Sequence, residues 1–233
     1  LANLSILEFG ERLKELSDSG VSMFHVDIMD GHYVPSLCLP PKTVKDIKEQ
    51  YPEAVVEVHM MVERPMDYVM QMKDYGADYL SFHIDSTNFV RRTLSFIKEN
   101  GMKAGVVLNP SQRIDIIEPF AELLDYIVFM SVEPGYAGQR FLKGSMERLK
   151  ELSEFRKSQG LNFEIIIDGG VDYENLPGLV EYGADTVVTG IYVVFQQSDG
   201  IAGACKRFDE TVKELENRKR DKEENAWKIE NSY

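Results

Sequence analysis

Short apolar runs recur along the chain, and segments with helical periodicity fill the intervals. SMFHVDIM (22–29), VVEVHMM (55–61), DYLSFHI (78–84), KAGVVL (103–108), YIVFMSV (126–132), FEIIID (163–168) and DTVVTG (185–190) are rich in β-branched and aromatic residues. Gly, Pro, Asp or Asn punctuate their ends, so seven strands are expected. Between them MDYVMQMKDYG (66–76), NFVRRTLSFIKENG (88–101) and MERLKELSEFRKSQG (146–160) read as helices that close on a glycine at the cap position. Tyr-Gly-Ala-Asp occurs at 75–78 and again at 182–185, each time ending a helix and opening a strand. Such alternation predicts parallel βαβ units.

Residues 8–19 (EFGERLKELSDS) read as a helix ahead of the first of these strands, which asks for an eighth strand mostly upstream of Leu1. The expectation is an α/β chain forming one (β/α)8 TIM barrel, its first strand truncated, and the 233 residues suit a fold of about 250. A doubly wound open sheet is the rival, disfavoured because no G-x-G-x-x-G or G-x-x-x-x-G-K-[ST] loop follows any strand. The expected boundaries are a barrel over 1–216 and a charged C-terminal tail over 217–233.

Charge and composition narrow the partners. A net charge of -13 argues against a nucleic-acid surface, which needs clustered Lys and Arg. It leaves room for a small anion held by backbone N–H groups. Two distant cysteines, Cys38 and Cys205, make no metal or disulfide pattern, so a reducing, cytoplasmic setting is expected. No apolar run reaches the roughly 18 residues of a membrane span, and no signal peptide is evident.

Within this frame some strand positions are unusual. His25 and Asp27 alternate with Phe24, Val26 and Ile28, which puts imidazole and carboxylate on one face about 7 Å apart along the strand. His59 sits near the end of the next strand, and Asp168 closes IIID before Gly169-Gly170. Each taken singly has a plain structural reading, a packed histidine or a turn-forming aspartate. Together, at the strand ends where barrel enzymes carry their chemistry, they suit one divalent metal ion, Zn, Mn, Fe or Co. His32 and His83 read as structural. A second constellation is glycine-rich: Gly135, Tyr136, Ala137 and Gly138 follow one strand, Gly169 and Gly170 the next, Gly190 the last. Glycines there let backbone N–H groups approach a phosphate. Met29, Met60, Met61 and Met130 read either as core filling or as an apolar shelf beside the reacting atoms. Two facing carboxylates with a metal would allow inversion of a stereocentre beside a carbonyl, or equally a metal-dependent hydrolysis.

Five blocks in order resemble the ribulose-phosphate 3-epimerase family. They are His25 through Pro35 (HVDIMDGHYVP), Val58 through Val62 (VHMMV), Leu108-Asn109-Pro110, Val132 through Gln139 (VEPGYAGQ) and Ile167 through Val171 (IDGGV). The resemblance implies a (β/α)8 barrel with one divalent metal on His25, Asp27, His59 and Asp168. It also implies Asp27 and Asp168 as the two acid/base groups, His59 close to the substrate, a sugar phosphate as ligand and a homo-oligomer. Phosphate contacts carry over to Gly135, Tyr136, Ala137, Gly138, Gly169, Gly170, Gly190 and Ile191. The chain departs from the family in lacking a match to its first-strand serine and in having Ile191 where a Ser or Thr usually stands. Glu133-Pro134-Gly135-Tyr136-Ala137-Gly138-Gln139 replaces the common Asn-Pro-Gly-Phe-Gly-Gly-Gln. D-ribulose 5-phosphate is the expected substrate, D-allulose 6-phosphate the alternative. A hydrolase and a non-catalytic sugar-phosphate binder are more remote readings.

Overall fold

The computed structural model describes residues 1–2 and 4–230, with side chains through 222 and at 224. In chain order its strands are β1 (Met23–Asp30), β2 (Leu37–Cys38), β3 (Val55–Met61), β4 (Tyr79–His83), β5 (Lys103–Leu108), β6 (Tyr126–Met130), β7 (Glu164–Asp168) and β8 (Thr186–Val187). The helices are α1 (Phe9–Asp18), α2 (Lys42–Gln50), α3 (Val69–Tyr75), α4 (Val90–Glu99), α5 (Ser145–Ser158), α6 (Leu176–Glu181) and α7 (Gly200–Glu230). All seven expected strands form, the last reduced to a two-residue core.

The strands join in the order β2-β1-β3-β4-β5-β6-β7-β8 as one curled sheet, with helices between successive parallel strands. This is the TIM-barrel arrangement in a single domain. The sheet's eighth member is β2, which turns back antiparallel on the end of β1 through Met29–Cys38 and Asp30–Leu37; the strand expected upstream of Leu1 lies outside the described residues. Nearer the middle of β1, the Leu1 ammonium donates to the His25 carbonyl at 2.8 Å.

Period-two alternation divides the core into two layers. Phe24, Val26 and Ile28 of β1 and Val56, Val58 and Met60 of β3 face outward into the large apolar layer beneath the helices. Val107, Tyr126, Val128, Met130 and Ile166 fill the barrel interior. Burying a residue of the Phe24 or Ile28 kind stabilises by about 1.5–3 kcal/mol. A one-residue slip of β1 would forfeit that for the whole outward set. The apolar positions therefore hold His25 and Asp27 inward.

Two connections differ from simple helices for local reasons. Residues 114–123 carry Pro119 inside the turn and adopt a 3-10 conformation, since an internal proline removes an α-helical hydrogen bond. Residues 65–68 form a 3-10 turn that leads into α3. α7 continues as helix through Glu230. Its charged second half docks on α6, where Lys219 Nζ donates to the Val180 carbonyl at 2.9 Å and Lys222 pairs with Glu181 at 2.9 Å. Residues 231–233 of the expected tail lie outside the described residues. Among the described residues no helix is long and apolar enough to cross a membrane.

Candidate active site

β1, β3 and β7 carry His25, Asp27, His59 and Asp168 to one point. One ligand atom from each lies within 4.8 Å of the others. His25 Nε2 is 3.2 Å from Asp27 Oδ1 and 3.6 Å from Asp168 Oδ2. His59 Nδ1 is 3.4 Å from each of the same two oxygens. The two carboxylates thus flank the same two imidazoles. Register explains part of this, because Asp27 and His59 are directly paired across β1 and β3.

The electrostatics follow from the geometry. Burial works against charge on His25, but Glu57, Asp27 and Asp168 around it prevail and hold its pKa well above the ordinary value. Burial likewise opposes charge on His59, whose contacts with Asp168 and Asp27 raise it to about 8. For Asp27 burial alone would raise the pKa, yet the neighbouring imidazoles of His25 and His59 bring it well below the usual carboxylate range. Asp27 is accordingly held ionised. His59 Nδ1 is fully buried with no aligned hydrogen-bond partner, aimed between two carboxylates. An orphaned imidazole nitrogen facing two carboxylate oxygens is the donor set of a divalent-cation site, so these residues fit the metal that the sequence pattern implies.

A cavity of about 380 Å³ opens over this cluster, and its wall includes Gly135, Tyr136, Ala137, Gly138, Gly169, Gly170, Gly190 and Ile191. Every site residue expected from the sequence therefore borders one space. Gly169 and Gly170 are required by shape. A Cβ on Gly169 would lie 2.4 Å from Val132 Cγ2, and one on Gly170 2.3 Å from the Phe141 backbone nitrogen; both have positive φ. Side chains tie the loops down. Ser131 Oγ donates to the carbonyls of Asp168 and Gly169 at 2.9 and 2.6 Å. Gln139 Nε2 donates to those of Glu133 and Tyr136 at 2.5 and 3.0 Å. Tyr192 Oη donates to Gly138 at 2.7 Å. Ile191 opens a short helical turn over 191–195, and the first N–H groups of such a turn lack partners within it. Its Cδ1 lies 3.6 Å from where a Cβ on Gly138 would be.

The methionines divide by pleat. Met29, Met61 and Met130 border the cavity, whereas Met60 faces the outer apolar layer. His32 stays in the loop after β1, its ring against the Asp30 carbonyl. His83 does more than pack. Its Nε2 lies 2.8 Å from His59 Nε2, its ring stacks on Tyr33 at 4.5 Å, and burial followed by the charge on His59 keeps it neutral. Tyr33 Oη in turn donates to Asp85 and accepts from Asn109, both at 2.8 Å. The sequence carried a signal for His83 in its place on the strand beside that of His59. Glu57 was also missed; the same period of two places it on the inward face with His59.

Known proteins agree with this geometry. Residues 1–194 match the Ribulose-phosphate 3 epimerase family. The ribulose-phosphate 3-epimerase of Bacillus subtilis (strain 168) is 36% identical over 191 residues, covering 82% of this chain and 87% of that protein. That of Aquifex aeolicus (strain VF5) is 38% identical over 181 residues, 78% of this chain and 81% of that protein. Among solved structures, KGPDC from Streptococcus mutans shares the fold with a TM-score of 0.64 at 14% identity, over 87% of this chain and 93% of that one. With the motif residues gathered at one cavity and relatives alike over most of their length, the chain belongs to the ribulose-phosphate 3-epimerase family.

Proposed function

We propose that the protein is a metal-dependent ketose-phosphate 3-epimerase that interconverts D-ribulose 5-phosphate and D-xylulose 5-phosphate. The observation that carries this reading is the pair of carboxylates, Asp27 from β1 and Asp168 from β7, set on either side of the same imidazoles. His25, Asp27, His59 and Asp168 would hold one divalent cation. When bound, such an ion supplies Lewis-acid stabilisation of negative charge on the substrate's carbonyl and neighbouring hydroxyl oxygens.

The chain's own groups supply the proton transfers. Inversion at C3 requires removal of the C3 proton on one face of the sugar and its return on the other. Asp27, held ionised, accepts the proton on one face, leaving an enediolate; Asp168 delivers a proton on the other. In the reverse direction the roles exchange. Backbone N–H groups around Gly138, Gly169-Gly170 and Ile191 would hold the phosphate, which suits a protein of net charge -13 because no cationic surface is needed. Lys103, the one strand lysine among the described residues, does not compete as a Schiff-base group. It lies at the start of β5, bonded to Tyr79 and Glu164.

The test is NMR of the metal-loaded protein in D₂O with each ketose phosphate. Deuterium entering C3 of D-ribulose 5-phosphate, at the higher kcat/KM, is expected. Preference for D-allulose 6-phosphate would keep the mechanism and move the substrate to a hexulose. No exchange with either would overturn the epimerase.

A further inference from the structure

Glu57 is a carboxylate with no place in the reaction above. It stands on β3 opposite His25 of β1, fully buried inside the barrel. Its Oε2 lies 2.5 Å from His25 Nδ1, at ion-pair distance though off ideal hydrogen-bond alignment. Its Oε1 accepts from Ser81 Oγ of β4 and Tyr126 Oη of β6, each at 2.9 Å. The tyrosine reaches this point because Gly105 stands beside it on β5; a Cβ there would lie 2.5 Å from Tyr126 Cε1 and Cζ. Five strands, β1 and β3 to β6, therefore contribute to seating one carboxylate beneath one imidazole. A buried carboxylate is costly unless paired and hydrogen-bonded. A seat of this kind at this depth needs a reason beyond packing, since an apolar residue of like volume would fill the space without that cost.

We propose that Glu57 is a positioning residue for the metal centre. Its carboxylate faces His25 Nδ1 and accepts from the proton that stays on that nitrogen, so that His25 presents Nε2 as a lone-pair donor toward Asp27 and Asp168. The negative charge behind the ring makes that nitrogen a stronger ligand. Ser81 and Tyr126 hold Glu57 in turn, and Gly105 makes room for Tyr126. A carboxylate donating no bond itself but orienting a ligand histidine is a recurrent device in metal sites, and losing one typically lowers metal affinity about 10–100-fold. The inference rests on the metal reading above and extends it to a residue that touches neither metal nor substrate.

The test is titration calorimetry of the stripped, full-length protein with Zn²⁺ and with Co²⁺, together with the visible absorption of the Co²⁺ form. Glu57→Gln keeps the volume and removes the charge. It is expected to weaken binding about 10–100-fold and alter the Co²⁺ spectrum, with kcat falling at saturating metal while KM is unchanged. Tyr126→Phe keeps the ring over Gly105 and removes one donor; the expected loss is smaller, about threefold to tenfold. This second variant carries the test if Glu57→Gln fails to fold. A purely structural Glu57 would lower thermal stability but leave the Co²⁺ spectrum and affinity of the folded protein as in wild type. Affinity within threefold of wild type in both variants would overturn the proposal alone. Wild-type protein that takes up no divalent ion would overturn the metal reading and this proposal with it.

Discussion

The two halves of the site are made of different material. The proposed metal corner consists of side chains on β1, β3 and β7, almost wholly buried, each fixed by the pleat of its strand, with Glu57 behind His25 and His83 behind His59. The wall proposed for the phosphate lies in the loops after β6, β7 and β8 and is rich in glycine backbone, and at Gly135, Gly169 and Gly170 a side chain is excluded by shape. A strand-borne group is specified by chemistry, so isosteric replacement should remove its function and leave the fold. A loop-borne N–H is specified by conformation, so replacement acts through shape and charge. Four predictions can break or sharpen this contrast.

The largest effect is expected at the carboxylates. Asp27→Asn and Asp168→Asn keep volume and register but each removes a proton-transfer group and a cation ligand. General acid–base catalysis alone contributes about 10²–10⁴-fold, so kcat/KM should fall at least that far in either variant. Steady-state rates and C3 exchange in D₂O measure it. Activity within tenfold of wild type in either would mean that one carboxylate suffices. Next comes the wall. Gly138→Asp brings a negative charge to a loop at φ +84°, and Gly138→Ala is its uncharged control for backbone strain. The aspartate should raise KM for the phosphorylated ketose about tenfold or more, about 1.4 kcal/mol, beyond the alanine. KM for the unphosphorylated sugar should be the same in both variants. Equal loss for both sugars would place the phosphate elsewhere.

The same contrast explains what could be read from sequence. His25, Asp27, His59 and Asp168 were legible because a strand has a period of two, so outward apolar residues state which polar ones face in. The strands themselves were legible from β-branched runs for the same reason. Glu57 and His83 obey that period too, but their roles lie in cross-strand distances to His25 and His59 that no linear spacing displays. β2 was not foreseen, since two residues in Leu37–Cys38 carry no periodicity. α2 buries Thr43, Val44 and Ile47 within nine residues, too short a stripe to stand out. In the wall, glycine marked where backbone approaches closely. It could not tell a loop that cradles an anion from one that merely turns, because conformation and not side-chain type decides between them.

The third prediction concerns pH and belongs to the metal corner. His59 titrates near 8 in the ion-free protein and His25 well above its ordinary value. A cation must displace these protons, since imidazole ligates only when neutral. As pH falls below 8, apparent affinity should drop about tenfold per pH unit for each proton displaced. Asp27 does not oppose this trend near neutrality, because it stays ionised. Titrations of Zn²⁺ binding between pH 6.5 and 8 measure the slope. A flat profile would show that the imidazoles are already neutral, or are not ligands. The phosphate wall holds no imidazole among its residues and should show no matching change in inorganic phosphate affinity beyond phosphate's own titration.

The smallest effect is expected at Ile191. Where family members usually carry a hydroxyl, this chain has an isoleucine opening the turn after Gly190, with Cδ1 toward Gly138. If the wall works through backbone N–H groups, the side chain at 191 adds shape and no hydrogen bond, and Ile191→Ser should add one. A net hydrogen bond of about 0.5–1.5 kcal/mol corresponds to a fall in KM of about twofold to twelvefold, with kcat unchanged. Removing the isoleucine also opens space beside Gly138, which works in the other direction and keeps the gain at the low end of that range. KM for the phosphorylated ketose, measured beside its unphosphorylated analogue, separates the two effects: the hydroxyl acts only on the first, the added space on both. A rise in KM for both would mean that Ile191 serves this wall by filling it, and that here too a side chain, not backbone alone, shapes the phosphate's seat.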